Sequence, residues 1–413
     1  MSTSSTPAKS RWLNRTVLGV GLASLFSDWS HEIATAAMPA FLASLGVAAV
    51  WLGIIEGVSD GLASFAKLAS GYYTDRLERR KPIAVAGYIA TALGTAAFGL
   101  ATNAWHVLVA RATAWLGRGI RTPVRKAILA GAVERSAYAR AFGLERAMDT
   151  VGAIIGPLSA LFILEATDHN YRTLFAWTLV PGLLAAAVIA FLVQERDRVP
   201  VKHISFGERL RLLPKQYRKF LGGVALFGAG DFAHTMLILL ATQKLTPTLG
   251  PARAASLAVL LYVLHNVFYA SFSLVAGWLG DRLPKNLLLA GGYSLAGLMA
   301  IGIIVLPISV WTMGSIFIVG GIYIAMEETL EDSLCAELVD EAHHGMAFGV
   351  LATVNGIGDF ISSVVVGVLW SAFGTEVAFA YSAVLLFAGA VLVSRVAPSS
   401  HQPPGNAQAR AST

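Results

Sequence analysis

Gly71-Tyr-Tyr-Thr-Asp75-Arg76-Leu77 returns 206 residues later as Gly277-Trp-Leu-Gly-Asp281-Arg282-Leu283. The same offset lays Ala141-Phe142-Gly143 onto Ala347-Phe348-Gly349, and Gly152 onto Gly358. An offset kept over so much of a 413-residue chain means that one structural unit is present twice, running in the same direction. Composition says what surrounds it. Hydrophobic residues make up 55% of the chain and charged residues 14%, against a charged share of about a quarter in soluble proteins, so the solvent is lipid.

Apolar runs of roughly twenty residues recur from Trp12 to Val396 between short polar breaks, the pattern of a multi-pass helical protein and not of a barrel. Helices are expected near 15–48, 51–74, 82–102, 105–131, 141–165, 171–193, 220–243, 254–280, 286–307, 309–336, 345–372 and 375–396. The longest polar stretch, Gln194 to Lys219, carries Pro200 and Pro214 and separates two sets of six. The reading is an all-α membrane protein of twelve transmembrane helices: a six-helix half over 1–193, a cytoplasmic linker over 194–219 and a second half over 220–397. The tail, 398–413, is too polar to bury anything and is read as disordered. The first apolar segment is too long for a signal-peptide core and is read as retained.

Net charge is +6, which in a soluble protein would raise the question of nucleic acid; the placement of the charge answers against it. Basic residues crowd alternate loops: Lys9, Arg11 and Arg15, then Arg76, Arg79, Arg80 and Lys81, then eight between Arg196 and Lys219. The opposite loops hold only Arg172, Lys244 and Arg253. Positive loops face the cytoplasm, so both termini are expected there, in a bacterial inner membrane, with the lipid bilayer as the main partner. A lone cysteine, Cys335, makes neither an internal disulfide nor a zinc site.

Three local motifs resemble the major facilitator superfamily (MFS), and the repeat carries the resemblance into the second half. Gly71-x-x-x-Asp75-Arg76-x-x-Arg79-Arg80 is similar to the family's loop motif between helices 2 and 3, with Glu78 where the motif has Gly. Arg111, Gly117 and Gly119 resemble its helix-4 pattern. Gly152-x-x-x-Gly156-Pro157 resembles the helix-5 motif of proton-coupled antiporters, with Ser159 and Ala160 in place of small glycines. Phe26-Ser27-Asp28, Ile55-Glu56-Gly57 and Gly117-Arg118-Gly119-Ile120-Arg121-Thr122-Pro123 look like a widespread bacterial subgroup. The resemblance implies the MFS fold, with a small-molecule substrate bound between the halves near mid-membrane.

An ionisable side chain at the bilayer centre costs about 2.5–3.5 kcal/mol on insertion scales, so it marks a protein-facing or wet position. Arg111, Arg118 and Arg125 recur every seven residues and share one stripe of the fourth helix, with Arg121 beside them. Adding the repeat offset to Arg121, Arg125 and Lys126 gives Glu327, Glu331 and Asp332, so a basic cluster becomes an acidic one. Arg121 and Arg125 are expected to meet Glu327 and Glu331 as a cytoplasmic gate; the alternative is pairing within each half. Asp28, His31 and Glu32 in the first helix, Glu56 and Asp60 in the second, and Asp231 with His234 at i, i+3 in the seventh are candidates for proton or substrate duty. Asp149 and Asp359 are expected to anchor bundle ends to the loop motif, and Asp75-Arg76, Arg80 and Asp281-Arg282 to act as conformational latches.

No nucleophile-and-base set, metal set, cofactor site or phosphate-binding loop is legible, so the chain reads as no enzyme and no ATPase. The expectation is a monomeric, proton-coupled transporter working by alternating access, with antiport and efflux favoured through the helix-5 motif. Uptake of an organic anion on the helix-4 arginines and a ligand sensor that moves nothing are the alternatives.

Overall fold

A computed structural model describes residues 12–47, 50–195, 206–232 and 234–397. The first half holds α1 (Arg15–Ser44), α2 (Val50–Thr74), α3 (Lys81–Ala96), α4 (Ala104–Gly131), α5 (Tyr138–Ala166) and a broken sixth span, α6 (Tyr171–Trp177) with α7 (Leu179–Leu192). A short α8 (Phe206–Leu212) belongs to the linker. The second half holds a broken span, α9 (Lys215–Gly230) with α10 (His234–Leu249), then α11 (Pro251–Gly280), α12 (Lys285–Val305), α13 (Val310–Leu338), α14 (His344–Phe373) and α15 (Thr375–Ser394). The tail 398–413 and the linker's 196–205 lie outside the described residues.

Two spans differ from the continuous helices expected. The sixth is interrupted at Thr178, because Pro181 has no N–H for the Trp177 carbonyl; the Thr178 carbonyl accepts from Gly182 N–H at 3.1 Å and also from Ser30 Oγ at 2.8 Å. The seventh ends at Gly230, after which Asp231 is extended at φ −77°, ψ 115°. Asp231 and His234 therefore do not share a helical face, and the spacing argument that joined them fails. The side chain of His234 lies outside the described residues.

Eight described helices are long and apolar enough to cross a membrane unaided. The spans that fall short are α1, α2, α4 and the broken α9–α10, which carry Asp28 and Glu32, Glu56 and Lys67, Arg111 to Lys126, and Asp231. Their polar load lies inside the bundle, while Phe162, Phe191 and Phe360 stand exposed on its outside. Within the first half α1 packs on α5, α2 and α3 on α4, and α7 on α1 and α3. The second half repeats this with α9 on α14, α11 and α12 on α13, and α15 on α12. Even a turn is repeated: Asp168 and Gly374, at equivalent positions, both take left-handed backbone, at φ 51° and 90°.

Small residues set the crossings. A Cβ at Gly152 would overlap the Leu25 carbonyl, and one at Gly156 the Glu32 Cβ, so the helix-5 glycines are where α5 lies directly on α1. The halves meet through two symmetric crossings, α2 on α14 and α11 on α5. At the first, Gly71 presses on the Gly345 carbonyl and on Gly349; at the second, Gly143 presses on the Ser273 carbonyl and on Gly277. Both crossings lie at the end of the bundle where α1 begins and α15 ends, here called the terminal face.

Candidate functional site: a charged cavity between the halves

The two loop aspartates close the terminal face in the same way. Asp75 accepts from the backbone N–H groups of Gly345 (2.9 Å) and Met346 (2.8 Å) at the start of α14 in the other half. Asp281 accepts from Ala139 N–H (3.0 Å) and Arg140 N–H (3.3 Å) at the start of α5, and from the Arg140 side chain. Subtracting the repeat offset from Gly345 and Met346 gives Ala139 and Arg140, so each half caps a helix of the other through equivalent atoms. A carboxylate at these N-termini satisfies orphan donors and lies at the positive end of the helix dipole. Burial pushes the Asp281 carboxyl above its ordinary range, opposed by its bonds with Arg140. Arg80 is buried and donates to Asp75 (2.9 Å), while its own N–H and that of Lys81 donate to Glu195 at 2.6 and 3.0 Å. Arg76 bonds Tyr72 and lies over its ring, and Arg282 lies over Trp278.

One layer deeper, three ion pairs cross between the halves, the longest of them Arg146 to Asp332 at 4.0 Å. Lys126 Nζ meets Asp332 Oδ1 at 2.6 Å, and Arg146 meets Glu328. Lys126 and Asp332 are repeat-equivalent residues; such residues touch only close to a pseudo-twofold axis, so this pair marks the axis. The pairing expected for their neighbours is corrected here. Arg125 is held inside its own half by Glu145 (2.7 Å), Asp149 (3.8 Å) and Ser24 Oγ (2.5 Å). Arg121 donates to Ser27 Oγ (2.7 Å) and lies over Tyr88. Glu331 accepts from Tyr293 and from Asn355 (2.8 Å), and Glu327 has no hydrogen bond or ion pair among the described residues. The physical reason is competition: Arg121 and Arg125 find their partners on α1 and α5 of their own half, and Glu331 finds its partners on α12 and α14 of the other.

Between the halves lies a cavity of about 420 Å³. From the first half it is lined by six basic side chains, Lys67, Arg118, Arg121, Arg125, Lys126 and Arg146, beside Asp28 and Asp149. The second half contributes six acids and no base: Asp231, Glu327, Glu328, Glu331, Asp332 and Asp359. Asp149 and Asp359, expected at the loop motif, line this cavity instead. Arg118 lies near the middle of α4 and meets Asp28 at 3.3 Å, with 31% of its side chain exposed. Asp231 accepts from Tyr323 at 3.0 Å. Among the described residues Glu327, Asp359 and Lys67 have no ion partner, and no three His, Cys, Asp or Glu side chains converge on a metal position.

Further from the terminal face, α1, α2 and α4 share a second polar network. Arg111 Nη2 donates to both oxygens of Glu56, at 2.9 and 2.6 Å, with its guanidinium over Trp115. Trp115 donates its indole N–H to Asp60 at 2.6 Å. His31 is buried with its ring against Trp115, 3.8 Å from Glu32 and 3.4 Å from Thr35, which also meets Arg111 at 3.4 Å. The network thus joins Asp60, Glu56, Glu32 and His31, and through Trp115 it reaches Arg118 at the cavity. Sequence reasoning missed Lys67 and Glu328, and placed Arg146, with Glu145 and Asp149, as an anchor of the bundle end to the loop motif. Lys67 had a signal, a lone lysine seven residues after Asp60 inside an apolar span.

A family profile described as Major Facilitator Superfamily matches residues 20–330 and 224–412. An uncharacterised MFS-type transporter of Methanocaldococcus jannaschii is 28% identical over 93% of this chain and 95% of its own length. Multidrug resistance protein MdtH of Escherichia coli is 27% identical over 35% of this chain and 36% of its own. The MFS transporter FucP, crystallised in the outward conformation, superposes with a TM-score of 0.73 at 17% identity, over 92% of this chain and 99% of that one.

Proposed function

Because the chain belongs to the Major Facilitator Superfamily, we propose that it is a proton-coupled secondary transporter that exports a small solute by alternating access. Its terminal face is read as cytoplasmic, since the basic loops lie there, and the membrane as the inner membrane of a bacterial cell. With both helix latches and the three cross-half ion pairs made on that face, the structure is read as the state closed toward the cytoplasm.

One observation carries the coupling: the second-half wall holds Glu327 and Asp359 without cations, and Asp231 with only a phenol partner. A carboxylate in a partly dry cavity needs a positive charge, which a proton or an amine on the solute supplies. The two exclude each other at the same oxygen, and that exclusion is antiport. The basic wall supports cation export over uptake of an anion. Arg118, Arg125, Lys126 and Arg146 already have carboxylate partners, which leaves Lys67 and Arg121 facing Asp231, Glu327, Glu331 and Asp359, so the unpaired charge facing the cavity is predominantly negative. One chain encloses the whole cavity, in keeping with a monomer. The Asp28–Glu32–Glu56–Asp60 network, with its single buried histidine, is read as the path by which protons reach Arg118 and the cavity.

The test is internal pH in sealed vesicles holding the purified protein, energised by a proton gradient and challenged with amine-bearing solutes. Proton movement on solute addition, lost in Glu327→Gln, is expected. Movement driven only by anions, and lost in Arg118→Gln, would replace antiport with anion uptake.

A further inference from the structure

We infer that the solute is amphoteric: a small molecule with an ammonium at one end and a carboxylate at the other, held between the two walls of the cavity. This rests on the transport reading above and names its substrate class. The site begins where the cross-half bridges stop. Lys126 and Asp332 meet on the axis; Arg118 lies eight residues back along α4, about 12 Å deeper at 1.5 Å per residue, and Glu327 lies five residues back along α13.

On the acidic wall Glu327 is 9% exposed, faces the cavity and is unpartnered among the described residues. An unpaired buried carboxylate is costly, so the position calls for a cation in the cavity. On the basic wall Lys67 faces the same space with no ion pair or hydrogen bond among the described residues, and the half-exposed Arg118 retains donors beyond its single 3.3 Å contact with Asp28. Lys67 and Arg118 are not within ion-pair reach of Glu327. A purely cationic solute would answer Glu327 and leave Lys67 with only the more distant charges of Asp359 and Asp60; a purely anionic one would leave Glu327 unanswered. A molecule with both charges answers both and draws the walls together, which is what closure around a substrate requires. Asp359, exposed and also unpaired, leaves room for a second amine. The volume, about 420 Å³, falls in the lower part of the range for small-molecule pockets.

The experiment measures equilibrium binding to the full-length protein in lipid nanodiscs, with no proton gradient. The probes are matched in length: aminocaproate and lysine (amphoteric), cadaverine (cationic) and hexanoate (anionic). Aminocaproate or lysine is expected to bind at least about tenfold more tightly than cadaverine or hexanoate. Glu327→Gln should weaken amphoteric and cationic binding and spare anionic binding, whereas Lys67→Gln should weaken amphoteric and anionic binding and spare cationic binding. Equal or tighter binding of cadaverine or hexanoate, or no binding of either amphoteric probe, would overturn the inference; the comparison on the unmodified protein does so even where a variant misfolds. Amphoteric binding without proton movement in vesicles would leave this inference standing and sink the coupling. Proton movement with purely cationic solutes alone would do the opposite.

Discussion

Breaking the Lys126–Asp332 bridge should open the terminal face. The pair is short, at 2.6 Å, its side chains are 13% and 4% exposed, and it exists only while the halves touch at the axis. A hydrogen bond to a charged group contributes about 1.5–3 kcal/mol, and here that energy belongs to the closed state alone. Lys126→Gln should therefore shift the closed-to-open ratio roughly 10- to 150-fold toward open. The readout is alkylation of a cysteine placed at Phe348, whose ring meets Phe142 across the halves, in a Cys335→Ser background. With a water-soluble maleimide, labelling should accelerate by the same factor, and a Lys126→Asp/Asp332→Lys exchange should restore most of the protection. Unchanged labelling in Lys126→Gln would refute the claim that this bridge holds the face shut. Equal acceleration in the exchanged pair would refute direct pairing.

Gly71→Ala and Gly143→Ala should each abolish the closed state, because the added methyl overlaps a backbone carbonyl of the other half; cross-linking of the two halves at the terminal face should fall in both. Asp75→Ala should weaken the cap on α14 by about 0.5–2 kcal/mol and raise hydrogen exchange at Gly345 and Met346 before that of the remaining helix, whereas a global change in exchange would contradict a local cap. Glu56→Gln should lower thermal stability in detergent, since it leaves the buried Arg111 guanidinium without its counter-charge. The double variant with Arg111→Gln should recover part of it, and additive losses would argue against the pair.

The architecture was legible because lipid imposes a single period: apolar runs long enough to cross the bilayer, repeated at a constant offset. Asp75 and Asp281 stood out for the same reason, as they recur in register; that each caps a helix of the other half had no signal in the sequence. Pairing inside the bundle was not legible either. Repeat arithmetic sets Arg121 opposite Glu327 and Arg125 opposite Glu331, yet of these equivalent pairs only Lys126 and Asp332 touch. Equivalence in sequence fixes which residues are related, and competition from partners within each half decides which meet. The break at Asp231 escaped for a local reason. Gly228 and Gly230 are common enough in membrane helices that they do not announce an interruption, and the i, i+3 spacing to His234 assumed a helix that stops one residue earlier. Lys67 gave a weak signal because a single lysine in an apolar span also fits a side chain that snorkels to the headgroups.

The central claim is competition between protons and solute at the acidic wall. Its most direct test is proton release by the purified protein in weakly buffered solution near neutral pH as a binding solute is added. The account predicts net release, reduced or lost in Glu327→Gln, because the solute's ammonium displaces a proton from the wall. Net proton uptake on binding would contradict it, and so would release that persists undiminished in a Glu327→Gln/Asp359→Asn variant that still binds.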